Sequence, residues 1–147
     1  MRHSEFSGRR VLSEGRSQHT LATTCAVEGR GFWSGKQVRV TMHPAPVNTG
    51  VVVTRVDQSG PPSCKASTDS ATAINFRTNL HCGTHQISMV EHLLAALAGL
   101  EIDNCFVEMD AEEVPGLDGS SRDFVEAITD AGLVIQAGRR ARYVVRE

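Results

Sequence analysis

Alternating apolar and polar positions predict several β-strands in the first half of the chain. Segments 19–28, 36–43 and 50–56 are rich in valine and threonine, which favour strands. In the second of these segments Val38 and Val40 alternate with polar residues, and a period of two indicates a strand with one buried face. Residues rich in glycine, serine, proline and asparagine separate the three segments and predict turns.

The pattern continues with a polar interval and then more short strands. Residues 57–70 have no apolar periodicity and predict a long polar loop, a kind of segment that often forms a pocket rim or lid. Residues 81–84 contain a glycine and predict a turn between two strands. The strands predicted after the loop are 72–80, 85–90, 103–110 and 141–145.

A 3.6-residue apolar spacing predicts a first helix that ends at Gly99. Ser88 can cap its N-terminus, and Glu91 three residues later completes the pattern of a capping box. One face of this helix is apolar and should point to the core. Its members are Val90, Leu93, Leu94 and Leu97.

A second helix is predicted from Ser120 or Ser121 to Ala131, and a glycine follows its end. Phe124, Ile128 and Ala131 should point inward. Several strands followed by helix, strand and helix indicate an α+β fold. We expect a two-layer α/β sandwich with a mostly antiparallel or mixed sheet and both helices packed on one face.

The polar, aperiodic start of the chain suggests a division into three parts. Residues 1–17 are predicted to be a flexible N-terminal extension, and residues 18–138 the sandwich domain. Residues 139–147 are predicted to begin a second domain, because a strand that starts at 141 needs further chain to pair with.

Composition narrows the class of protein. A chain of 147 residues with 40% hydrophobic and 22% charged residues is long enough to bury one core. Basic residues are scattered and the formal net charge is −2, which argues against a nucleic-acid surface. No apolar run approaches the ~18 residues of a membrane span, and no secretory apolar segment begins the chain, so the cytosol is the expected compartment.

The four cysteines are predicted to be reduced. None of them forms a C-x-x-C pair, and cytosolic proteins keep buried thiols free. They are Cys25, Cys64, Cys82 and Cys105.

Glu91 and His92 are the residues with the most chemical potential, although each also has a structural explanation. The capping box by itself explains Glu91. His92 lies nearly opposite the leucine face, between Ala95 and Ala96 by helical angle. Small residues allow close approach, so we expect a second domain, a partner chain or a substrate to pack over this face.

A catalytic zinc site would need more than this pair. Such a site uses about three protein ligands, a water and a nearby carboxylate that accepts the proton of the water. Glu91 and His92 supply one base and one ligand. The other histidine–cysteine cluster, His81, Cys82 and His85, surrounds a glycine turn and is predicted to be part of a hairpin instead.

Several segments in the same order resemble one enzyme family. They are GRGFWSGK at 29–36, TMHPAP at 41–46, SMVEHLLAALAGLEIDN at 88–104 and EVPGLDGSSRDFVEAI at 113–128. From about His19 onward the chain resembles the N-terminal domain of UDP-3-O-acyl-N-acetylglucosamine deacetylase, a zinc hydrolase of lipid A biosynthesis.

The resemblance implies a role for each member of the pair. Glu91 matches the general base, and His92 matches the first zinc ligand. The family enzyme has two similar sandwiches that face each other, and the second contributes the remaining ligands, a histidine and an aspartate. The implied substrate is a UDP-linked acylated amino sugar, and this chain alone should be inactive. Asp118 to Ser120 match a family signature, but a turn followed by a helix cap also explains these residues without any catalytic role.

Two positions depart from the family pattern. The family loop reads Gly-Leu-His-Ser-Gly, whereas residues 31–35 read Gly-Phe-Trp-Ser-Gly. Trp33 is explained by core packing, by an altered substrate contact or by divergence of this chain. Glu101 stands where the family often has glycine. The alternative function is a catalytically inactive half-domain that binds a partner protein or a nucleotide-sugar. A homodimer that brings two copies of His92 together is a weaker hypothesis, because two histidines are fewer than the usual three protein ligands of a zinc site.

Overall fold

Strands outnumber helices in the computed structural model, which describes residues 15–142. The strands are β1 Ser17–Leu21, β2 Cys25–Arg30, β3 Gln37–Pro44, β4 Val51–Arg55, β5 Ser63–Lys65, β6 Ala71–Ile74, β7 Arg77–Cys82, β8 His85–Ser88, β9 Cys105–Met109 and β10 Leu133–Arg139. The helices are α1 Glu91–Gly99 and α2 Arg122–Ala131. The predicted α+β fold is confirmed.

The main sheet has five strands in the order β2-β3-β9-β4-β5. Strands β4 and β9 run parallel and the other pairs antiparallel, so the sheet is mixed, as predicted. In β3 the alternation seen in the sequence corresponds to burial, since Val38, Val40 and Met42 are at most 1% exposed. Val107 and Met109 of β9 extend the same buried face.

Two smaller sheets complete the strand arrangement. Strand β1 pairs with β10, and β6, β7 and β8 form a three-stranded antiparallel sheet. Strand β10 was not predicted, because its side chains are half-buried or exposed and carry no alternating pattern. The predicted loop 57–70 contains the short strand β5, and the predicted strand 72–80 is divided by a turn at Phe76.

Both helices contribute to one hydrophobic core with the main sheet. Helix α2 begins and ends where predicted, and its buried residues are Phe124, Ile128 and Ala131. Within the described residues no helix is long and apolar enough to cross a membrane.

The prediction for the start of α1 is wrong. Ser88 is the last residue of β8, the N-cap is Val90, and no side chain caps the helix. The reason is a sharp change of direction at Met89, whose φ is 61°. The prediction that Ala96 lies beside His92 on the face open to another element is also wrong, because Ala96 is 1% exposed and packs in the core.

The cysteines are not all reduced. Cys64 and Cys82 form a disulfide with their Cα atoms 4.9 Å apart, while Cys25 and Cys105 are free. This separation is normal for a disulfide. The prediction failed because the pairing depends on β5 lying beside β7, which the spacing of cysteines along the sequence does not show.

The predicted ends of the domain are only partly described. Residues 1–14 of the expected extension and 143–147 of the expected second domain lie outside the described residues, so most of the strand predicted at 141–145 does too. Strand β1 begins at Ser17, and the neighbouring Arg16 forms an ion pair with Asp103 at 2.6 Å.

Candidate active site

Glu91 and His92 occupy the first turn of α1, directly after the bend at Met89. Both side chains are half-buried. The Glu91 carboxylate does not bind its own helix end. Its Oε2 instead accepts a hydrogen bond of 2.9 Å from the backbone N–H of Thr78 in β7. The three-stranded sheet therefore fixes the carboxylate at the start of α1, a contact that the sequence did not predict.

His92 lines an open groove of about 390 Å³ whose walls are mainly apolar. We call it the aromatic groove. Three of its aromatic side chains are exposed: Phe32 is 71%, Trp33 53% and Phe76 92% exposed. The complete lining is Phe32, Trp33, Phe76, Met89, His92, Gly116, Leu117, Asp118 and Gly119. Exposed aromatic side chains grouped around one imidazole are typical of a binding surface.

Trp33 points into the groove and not into the core. Its ring meets Phe32 edge-on with centroids 5.2 Å apart, and the Arg77 guanidinium carbon lies 5.3 Å from its centroid. This is the distance of a cation–π contact. The core-packing explanation of Trp33 is therefore wrong, and the tryptophan belongs to the rim of the site.

Glu113 holds the loop that carries Trp33. This residue is 3% exposed, and its two carboxylate oxygens accept hydrogen bonds from the backbone N–H groups of Trp33 at 2.8 Å and Ser34 at 2.7 Å. Gly31 makes this approach possible, because a Cβ at that position would lie 2.6 Å from Oε2 of Glu113.

The pKa of Glu113 is lowered by this arrangement. Burial opposes ionisation, but the backbone hydrogen bonds from Trp33 and Ser34 outweigh it and keep the carboxyl ionised. No role for Glu113 was predicted from the sequence. The available signal was the second of two adjacent glutamates, directly before the apolar segment Val114 to Leu117, in a stretch that resembled the family.

Backbone strain is concentrated around the groove. Phe76, Met89 and Leu117 line it and have φ values of 65°, 61° and 50°. Side chains other than glycine rarely adopt this region, and such strain is common at functional sites. Away from the groove, Glu101 also has a positive φ, 58°, a conformation that favours glycine. Its carboxylate contacts Arg16 at 3.3 Å.

The segment from Asp118 to Ser120 forms the predicted turn and helix start. Asp118 Oδ1 accepts hydrogen bonds from the backbone N–H of Ser120 at 2.9 Å and from its hydroxyl at 2.7 Å. The side-chain hydrogen bond from Ser120, followed by the backbone one, lowers the pKa of Asp118. The Ser120 hydroxyl oxygen in turn accepts from the N–H of Arg122 at 3.1 Å.

The donor set for a metal is partial. Between residues 15 and 142 no group of three or more histidine, cysteine, aspartate or glutamate side chains is placed to hold an ion. His81 and His85 lie in the β7–β8 hairpin, as predicted, and Cys82 between them is in the disulfide. His92 with its neighbour Glu91 fits one ligand and one base, so further ligands would have to come from elsewhere.

These features define a class of protein: an α+β domain that presents a carboxylate and an imidazole at one helix start. The family model "LpxC: UDP-3-O-acyl N-acetylglycosamine deacetylase" matches residues 18–147, and the chain belongs to this family.

Individual relatives agree with the family assignment. The chain is 47% identical over 119 residues to UDP-3-O-acyl-N-acetylglucosamine deacetylase of Thioalkalivibrio sulfidiphilus. The matched region covers 81% of this chain and 39% of the relative. It is 42% identical over 127 residues to the Legionella pneumophila enzyme of the same name, covering 86% and 41%. A bifunctional LpxC/FabZ enzyme of Porphyromonas gingivalis is 37% identical over 130 residues, covering 88% and 28%. The chain thus spans about two fifths or less of the length of these relatives.

Proposed function

We propose that this chain forms the part of a zinc-dependent deacetylase that supplies the general base Glu91 and the metal ligand His92. The proposed reaction is hydrolysis of the N-acetyl group of UDP-3-O-acyl-N-acetylglucosamine, within lipid A biosynthesis. The family membership supports the reaction class. The observation that carries the assignment of residues is the adjacent placement of Glu91 and His92 in the first turn of α1, with His92 opening into the aromatic groove.

Glu91 is suited to accept a proton. Its Oε2 is held by the Thr78 N–H, which fixes the direction of the carboxylate and leaves Oε1 to face a water molecule. In the hydrolysis, water adds to the acetamide carbon, the carbon–nitrogen bond breaks, and acetate and a free amine are released. Glu91 takes the proton of the attacking water and returns one to the departing nitrogen.

His92 supplies one imidazole nitrogen as a zinc ligand. Bound zinc would contribute Lewis acidity, which polarises the acetamide carbonyl and favours loss of a proton from water. About two more protein ligands are needed. We assign them to a second domain or a partner chain that packs over the exposed side of α1, formed by His92 and Ala95. Ala96 is excluded from this surface because it is buried.

Trp33 is assigned to substrate contact. Its ring stands at the rim of the groove beside His92, held from behind by Glu113. A large aromatic face in place of the family histidine changes the polarity of this wall from hydrogen-bonding to apolar. We therefore expect the sugar or acyl part of the substrate to meet a different surface here than in relatives with histidine.

A chimera tests the proposal directly. Residues 18–147 replace the aligned segment of the Thioalkalivibrio sulfidiphilus relative, and acetate release from UDP-3-O-acyl-N-acetylglucosamine is measured along with bound zinc. Glu91→Gln should lower kcat by roughly 10²–10⁴-fold with zinc retained, since a general base contributes about this much. His92→Ala should lose zinc and activity together.

The matched control is Glu112→Gln, a change of the same kind at a half-exposed carboxylate that pairs with Lys36 at 3.0 Å. Its activity should equal that of the parent chimera. Full activity in Glu91→Gln or His92→Ala would refute the residue assignment. An inactive parent chimera that binds the substrate normally would favour the alternative function, a catalytically inactive half-domain. The incomplete donor set and the presence of Trp33 support this alternative.

A further inference from the structure

The Cys64–Cys82 disulfide joins two different sheets. Cys64 lies in β5, the three-residue edge strand of the main sheet, and Cys82 ends β7, the middle strand of the three-stranded sheet. Cys82 is 3% exposed, whereas Cys64 is half-buried. The Cys64 side of the bond is therefore the less buried one, and we expect a small reductant to approach from there.

Strand β7 also builds one side of the candidate active site. Its Thr78 N–H donates to Glu91, and its first residue, Arg77, lies over the ring of Trp33. The turn that leads into β7 carries Phe76, another wall of the aromatic groove. Thr78 and Cys82 are about 13 Å apart along the strand at the usual rise per residue. The same strand is thus fixed to the main sheet at one end and to the site at the other.

We propose that the Cys64–Cys82 disulfide is a redox-sensitive tether that controls how firmly β7 holds the Glu91 carboxylate. With the bond closed, the three-stranded sheet is anchored to β5 and the Thr78 N–H stays in place. With the bond open, β7 loses its covalent link to the main sheet and the hydrogen bond to Glu91 opens more often. That this affects catalysis rests on the function proposed above.

The chemistry is a thiol–disulfide exchange. One thiolate of a dithiol such as dithiothreitol attacks Cys64 Sγ, the Sγ–Sγ bond breaks, and Cys82 leaves as a thiolate that takes up a proton. The second thiol of the reductant then displaces Cys64, which also becomes a thiol. The protein gains two electrons and two protons, and the reductant ends as its cyclic disulfide.

The two free cysteines do not compete in this exchange. Cys25 is in β2 and Cys105 is in β9. Burial raises the pKa of the Cys105 thiol to about 12 and that of the Cys25 thiol as well. The thiolate is the reactive form, so both should react slowly.

The first experiment counts thiols in the 147-residue chain. The chain is purified without reductant, unfolded, alkylated and weighed by mass spectrometry. Two alkylated cysteines are expected before dithiothreitol treatment and four after it. Four before treatment would overturn the proposal, because no tether would then exist.

The second experiment measures hydrogen exchange at the Thr78 amide in the folded chain, with and without dithiothreitol. Reduction should speed exchange at this amide by about tenfold or more, while amides in α2 should change little. Equal exchange in the two forms would show that the disulfide does not control the Thr78 contact, and would also overturn the proposal.

Two variants serve as matched controls. Cys64→Ser should show fast Thr78 exchange whether or not reductant is present, and Cys25→Ser should respond to reductant like the unchanged chain. If Cys64→Ser does not fold, the reductant experiment on the unchanged chain still decides. Neither readout involves acetate release. A failure of the proposed deacetylase function would therefore not change these results, and the two failures can be told apart.

Discussion

The two helices of this protein are built by different rules. Helix α2 is a regular stabilising element. Its N-cap Ser121 makes no side-chain cap hydrogen bond, but the hydroxyl of the preceding Ser120 accepts one from the Arg122 N–H, and Phe124 and Ile128 are fully buried on one face. Gly132, with a φ of 74°, ends it. Each of these features was visible in the sequence, because each follows local helix chemistry.

Helix α1 lacks these features at its start. No side chain caps it, a strained Met89 precedes it, and its first carboxylate binds β7 instead of its own amides. His92 then opens into the aromatic groove. Stabilising rules are usually broken where a protein needs a side chain for something else. The contrast indicates that α2 supports the fold and the first turn of α1 serves the site.

The largest effect should come from the core side of α2. Phe124→Ala removes a fully buried ring and should lower the free energy of unfolding by about 3–5 kcal/mol. Urea denaturation followed by circular dichroism measures this. Val125→Ala, at a half-buried neighbour, should cost less than half as much. Similar losses for the two variants would contradict the view of α2 as a one-sided stabilising helix.

On the site side, the next effect concerns Glu113 and the Trp33 loop. Glu113→Gln removes a charge that accepts two backbone hydrogen bonds, and should cost about 1.5–3 kcal/mol. Trp33 is the single tryptophan of the chain, so its fluorescence reports the loop directly. Glu112→Gln, at an exposed carboxylate, is the control and should change neither stability nor fluorescence.

The same carboxyl predicts a pH dependence. Because the pKa of Glu113 is lowered in the folded protein, the stability it contributes is present above the unfolded-state pKa of about 4.3 and is lost as pH falls through the lower folded value. Acidification from neutral pH should leave Trp33 fluorescence constant until below about pH 4.3 and then change it. The transition should be missing in Glu113→Gln. Its persistence there would assign it to another group.

A smaller effect compares the two helix starts through their serines. Ser120→Ala removes a hydroxyl that accepts from the Arg122 N–H, and should cost about 1 kcal/mol. Ser88→Ala should cost less, since Ser88 is in β8 and no side chain caps α1. Thermal or urea unfolding of both variants is the measurement. A larger loss for Ser88→Ala would restore the capping box that the sequence predicted.

The parts of the fold that were predictable are those with a local signal. The alternation in β3 and the buried face of α2 follow from periodicity alone. Strand β5 has three residues and β10 has no buried face, so neither carries a pattern, and both exist because of their neighbours. The disulfide between Cys64 and Cys82 depends on that same proximity.

The site shows the same division. Glu91 and His92 were singled out by their position on a helix and by a resemblance to a known family, and their catalytic roles stay predictions. The partners of the site come from other elements of the fold: Thr78 in β7 lies 13 residues before Glu91, and Glu113 lies 80 residues after Trp33. Such contacts are made only when the chain folds, so no spacing rule announces them.

The smallest effect separates strain from packing at the aromatic groove. Phe76 is 92% exposed and has a φ of 65°, so its ring contributes little packing while its backbone is strained. Phe76→Asn should raise the free energy of unfolding by about 0.5 kcal/mol, because asparagine tolerates the left-handed region. Phe106→Asn is the matched control: Phe106 is 40% exposed in the regular strand β9, and this change should lower stability by up to about 1 kcal/mol. A stabilised Phe76→Asn protein would mean that the phenylalanine is kept at a cost to the fold, as expected if its ring serves a ligand. A destabilised Phe76→Asn protein would show that Phe76 is a structural residue. The contrast between a site-forming start of α1 and a stabilising α2 would then be weaker.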